Sequence, residues 1–129
     1  MIRVTALIAL TAALLVTAAP TTVHACKFAI AEVEFAEGST VLPAEGEAEL
    51  VRWAGIGGTG EGRGARVNVV VDPGDPTAAA LQRARGKVVA DRLIGLGFRR
   101  EDIQFAVRAV PGDFSFITVY PDPPPCTDL

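Results

Sequence analysis

LQRARGKVVADRLIGLGF, residues 81–98, is the stretch that decides how this chain is read. At 3.6 residues per turn, Leu81, Ala84, Arg85, Val88, Val89, Arg92 and Leu96 fall on one side of a helix, with Leu93 at its edge. Asp75 followed by Pro76 supplies an N-cap and a first helical residue, and Gly97 a C-terminal stop, so the helix runs to about Leu96. Arg85 lies inside the apolar stripe. A guanidinium there must find a carboxylate, backbone carbonyls or a polar ligand, because an unpaired buried charge costs several kcal/mol. The other reading is that its stem packs while its head reaches water.

Outward from this helix, residues 28–35 (FAIAEVEF) alternate loosely between apolar and polar and predict a strand. Residues 36–42 form a polar turn. Pro43 then opens a short helix whose buried face is Leu50, Trp53 and Ala54, with Val51 beside them; Gly46 weakens it by about 1 kcal/mol relative to alanine. The six glycines at positions 55, 57, 58, 60, 62 and 64 read as a connector. A phosphate cradle would need a G-x-x-x-x-G-K-[ST] motif opening a helix, and this loop precedes a strand. Residues 67–71 (VNVVV) are a central, covered strand. Residues 103–110 (IQFAVRAV) and 114–120 (FSFITVY) are two more, joined by Pro111-Gly112-Asp113 and so expected as a hairpin. The order β-α-β-α-β-β predicts an α+β two-layer sandwich, with both helices on one face of a four-stranded mixed sheet.

The ends carry different signals. Arg3, the apolar run 4–16 and the small or apolar Val23 and Ala25 before Cys26 read as a cleaved export signal over residues 1–25, which is too short for a convincing membrane span. Residues 26–120 are then the folded domain, and 121–129 a proline-rich, extended tail. The formal net charge of −3 becomes slightly more negative on cleavage, because the signal holds Arg3 and no acidic residue. That gives no general pull towards nucleic acid or anionic lipid. Cleavage also removes His24, the only histidine, leaving Ser39 and Ser115 as the only serines. A Ser-His or Cys-His nucleophilic site and a zinc site are thereby excluded, so the chain is expected to be no enzyme and to carry no cofactor or metal. Cys26 and Cys126, the only cysteines, read in an exported protein as a disulfide. The rival reading is a lipidated Cys26, the one way in which the protein would reach a membrane, although His24 is unusual before a lipidated cysteine. If the last strand lies antiparallel beside the first, the two cysteines come near each other.

Two segments resemble the OmpA-like domain, the periplasmic peptidoglycan-binding module also found in MotB and Pal proteins. Val33-Glu-Phe35 followed by Gly38-Ser39-Thr40-Val41-Leu42-Pro43 is similar to the family's first strand and its F-x-x-G-S-x-x-L turn. Leu81-x-x-x-Arg85-x-x-x-Val89-x-x-x-Leu93-x-x-x-Gly97-Phe98 is similar to its L-S-x-x-R-A-x-x-V-x-x-x-L-x-x-x-G-[IV] helix, and the match extends through Glu101-Asp102-Ile103. The resemblance spans residues 33–110. It implies that Arg85 holds the free carboxylate of diaminopimelate in the cell-wall peptide, and that an aspartate before that helix engages the ligand's polar groups. Asp75 is the counterpart of that aspartate, with Asp72 in reserve; a helix cap is the alternative role of Asp75. The chain departs from the family's G-H-T-D-x-x-G-x-x-x-x-N-x-x-L-S in this loop, which is about five residues shorter, lacks the asparagine and has Gln82 for the serine. Gly86 replaces an alanine.

The expectation is an envelope protein of the periplasm, with an outer-membrane association open, that binds the peptide stem of peptidoglycan. The alternative motivated by the short loop is a domain that keeps the fold as a structural or protein-interaction element, with Arg85 paired to Asp72, Asp75 or Glu101.

Overall fold

The computed structural model describes residues 29–58 and 64–123. The signal sequence, Cys26 and Cys126 lie outside them. Strand β1 (Ala31–Glu34) leads to helix α1 (Ala44–Trp53), strand β2 (Gly64–Val71), helix α2 (Pro76–Gly95), strand β3 (Ile103–Ala109) and strand β4 (Phe116–Asp122). The sheet order is β1-β4-β2-β3, with β4 antiparallel to both neighbours and β2 parallel to β3. This is the expected α+β sandwich on a mixed sheet. Register places Val33, Ile117, Val119, Val67 and Val69 on one face, and both helices pack there, α1 on β1 and α2 on β2 and β4. No helix among the described residues is long and apolar enough to cross a membrane.

The expected hairpin does not form. β3 and β4 are not neighbours, because the chain after β3 crosses the end of β2, where the Val110 amide donates to the Val71 carbonyl at 2.9 Å, and β4 enters between β1 and β2. Burial explains the choice. Ile117 and Val119 are fully buried in β4, whereas β3 carries Gln104 and Arg108 and tolerates an edge.

Both helices sit closer to the sheet than their sequences imply. A Cβ on Gly46 would lie 2.6 Å from Val33 Cγ1, and one on Gly86 2.6 Å from Val69 Cγ2. Neither glycine is a mere weakness in its helix, since each lets the helix axis approach a buried, χ1-restricted valine. Alanine at either position would gain about 1 kcal/mol of helix propensity but incur about 1–3 kcal/mol of overpacking. Gly46→Ala and Gly86→Ala are therefore expected to be destabilising by urea denaturation. A stabilised variant would show that the helices have room.

This close approach also rotates α2 from the expected stripe. The buried residues are Ala79, Gln82, Arg85, Gly86, Val89, Ala90 and Leu93, while Ala84 is exposed and Leu81, Val88, Arg92 and Leu96 are half-buried. Asp75 caps the helix, its Oδ1 accepting from the Ala78 amide at 3.0 Å, and Gly97 ends it with φ +114°. Pro43 is the N-cap of α1, with ψ 156°, one position before the helix it was expected to begin. Trp53, at the end of α1, donates from Nε1 to the Ala29 carbonyl at 2.9 Å and stacks on Phe98, their centroids 5.6 Å apart.

Arg92 joins the two helices. Its Nε lies 2.8 and 2.6 Å from the Glu47 carboxylate oxygens, a two-point contact on a half-exposed surface. The hydrogen bond from Arg92 holds the Glu47 carboxyl below its ordinary value of 4.5. A depressed carboxylate contributes stability that is present above its ordinary pKa and is lost as pH falls through the lower folded value. Glu47→Gln is accordingly expected to flatten the fall of melting temperature with pH below about 4.5, the ordinary carboxylate value. An unchanged acid limb would refute the assignment.

Candidate functional site

The site is assembled from the β1–α1 loop, the N-terminal half of α2 and the β3–β4 connection. The loop turns tightly at Gly38, with φ +68°, and the Ser39 amide donates to the Ala36 carbonyl at 3.0 Å. This turn aims two carbonyls at α2. Arg85 meets them, donating from Nε to the Ser39 carbonyl at 2.8 Å and from Nη2 to the Ala36 carbonyl at 3.0 Å. Nη1 donates to Gln82 Oε1 at 3.0 Å and makes a longer contact of 3.5 Å with the Phe114 carbonyl. The Phe35 ring centroid is 5.4 Å from the guanidinium carbon, within cation–π range.

Gln82, one turn earlier on α2, completes the arrangement. Its Nε2 donates to the Val70 carbonyl at 2.9 Å and to the Phe116 carbonyl at 3.3 Å. Gln82 is 2% exposed and Arg85 3%. Together they tie α2 to the ends of β2 and β4 and to both loops.

Among the described residues no carboxylate pairs with Arg85. Asp72 Oδ1 accepts from the Gly74 amide at 2.8 Å within its own turn, Asp75 caps α2, and Glu101 pairs with Arg99. The internal partners expected for Arg85 in the structural alternative are thus replaced by carbonyls, which reach it because the loop turn is tight. A cavity of about 320 Å³ adjoins the guanidinium. Phe35, Leu81 and Phe114 give it apolar walls, and the exposed carboxylates of Glu37 and Asp113 line it as well. Neither Asp72 nor Asp75 does. The sequence reading missed Glu37, Gln82 and Asp113; only Gln82 left a signal, as the residue standing where the resembling family has serine.

Neither a family model nor a curated protein matches the sequence. Solved structures do match. The peptidoglycan-associated lipoprotein from Burkholderia pseudomallei superposes with a TM-score of 0.58 at 15% identity, covering 71% of this chain and 90% of that one. The C-terminal domain of Helicobacter pylori MotB gives 0.56 at 16% identity, over 75% of this chain and 84% of that one. The element order, the sheet order and these superpositions agree, and the chain has the OmpA-like domain fold.

Proposed function

We propose that this is an exported, non-enzymatic envelope protein that binds the peptide stem of peptidoglycan, with Arg85 as the anion-holding residue. The observation that carries the reading is a buried guanidinium that pairs with no carboxylate among the described residues, beside a cavity of about 320 Å³. Carbonyls satisfy donors but leave the positive charge uncompensated, and a carboxylate entering the cavity would supply that compensation. Glu37 and Asp113 suit a ligand's ammonium group, beside the aspartate, Asp75 or Asp72, to which the resemblance gave the ligand's polar groups. An amino acid end such as that of diaminopimelate carries both charges. The shared fold with a protein named for its association with peptidoglycan supports the same reading.

A second reading rests on the four hydrogen bonds that Arg85 makes inside the chain. They suit a tie that holds an interaction domain together without any ligand. Co-sedimentation with purified sacculi separates the two. The first reading expects retention of the exported protein, competition by free diaminopimelate, and about tenfold weaker binding in Asp113→Asn, a surface change that leaves the fold intact. No retention of the wild type would establish the second.

A further inference from the structure

The helix layer stops short of the sheet edge. Phe105 and Val107 on β3 are in register with Val67 and Val69 on β2, so they share the face that carries the helices. Val67 and Val69 are buried beneath α2, yet Phe105 is 52% and Val107 49% exposed. Between α2 and β3 runs a groove of about 370 Å³, lined by those two side chains and by Val69 and Ala90. It lies apart from the Arg85 cavity and shares no lining residue with it.

Its charge is one-sided. Arg83, Lys87 and Arg100 line it against a single acid, Asp91, which Lys87 already engages at 2.8 Å. Arg83 and Arg100 make no ion pair with described residues. In a chain with more acidic than basic residues, this is a local excess of cations around an apolar floor. A second copy would bring the same cations to the same place and be repelled.

We infer that this groove docks an amphipathic, acid-flanked helix of another protein, which lies beside α2 as a third member of the helix layer. Its apolar face covers Phe105, Val107 and Ala90, and its carboxylates meet Arg83, Lys87 and Arg100. The interaction is independent of the Arg85 site, so either can fail without the other.

The test uses a synthetic helical peptide of about four turns, with leucines on one face and glutamates flanking them, and a control with lysine for glutamate. Nuclear magnetic resonance titration of the exported protein should shift the Val69, Val107 and Phe105 signals with the acidic peptide and leave them unmoved with the basic one. Arg83→Glu combined with Arg100→Glu, both at exposed positions, should weaken binding by about tenfold or more while the melting temperature stays unchanged. Equal binding of both peptides, binding of neither, or a concentration-dependent homodimer abolished by Phe105→Asp would each overturn the proposal.

Discussion

Arg85→Ala is expected to lower the stability of the fold by about 3 kcal/mol, a fall of roughly 10–20 °C in melting temperature for a domain of this size. The truncation strips the Arg85 donor from the Ser39 carbonyl and from Gln82 Oε1, and one of two donors from the Ala36 carbonyl, which keeps the Ser39 amide, in a region where Arg85 is almost wholly buried. A buried acceptor left without a donor, as Gln82 Oε1 would be, costs about 1–3 kcal/mol, and the half-buried Ser39 carbonyl less. Two effects oppose the loss. The desolvation of a guanidinium disappears, and water from the adjoining cavity can reach part of the space. The sum still falls well on the destabilising side because three separate segments lose their common tie. Arg85→Lys should lie between the two, since it keeps the charge but not the fork that reaches several acceptors at once. Thermal unfolding measures both, and a wild-type melting temperature in the alanine variant would show that the tie is dispensable. Because the variant is destabilised, sacculus binding is better judged from Asp113→Asn, whose side chain is exposed.

The second large effect concerns the chain ends. Oxidised protein is expected to carry a Cys26–Cys126 disulfide whose reduction costs about 4–5 kcal/mol in the chain-entropy model, which weights long loops most. The pairing of Ala31 with Val119 supports it, because β1 begins where β4 is finishing. Four residues lie between Cys26 and Ala31 and six between Val119 and Cys126, so each cysteine is close in sequence to that pair. Intact mass of the exported protein gives the first answer: two hydrogens lost for the disulfide, acyl mass gained for a lipidated Cys26. Urea unfolding with and without reductant then gives the energy. Identical curves for an oxidised sample would contradict the expectation.

The parts of this fold legible in the sequence were those set by local chemistry. Asp75-Pro76 and Gly97 bound α2 because a cap and a left-handed stop act within a turn of themselves. What was not legible was set by distant partners. Pro111-Gly112-Asp113 states that the chain turns but not which strand receives it, and the buried side chains of β4 took it past β2. Gln82 falls outside the apolar stripe given by helical spacing, and its burial follows only once the carbonyls of Val70 and Phe116 are brought to it. Gly46 and Gly86 read as weak helix formers until a valine stands opposite each. At the site, Arg85 was legible from its place on an apolar stripe. Glu37 and Asp113, far apart in the chain, become its neighbours only through the two loops.

The placement of β4 also orders the events of folding. β2, α2 and β3 are contiguous in the chain and pair in parallel without help from either end. Among the described residues β1 has no partner in the sheet except β4, the strand farthest from it along the chain. The domain is therefore expected to close in one late, long-range step in which the C-terminal strand enters a slot between two waiting edges, and such non-local closure slows folding. Until then both edges stand open, and the chain is most exposed to aggregation before β4 is in place.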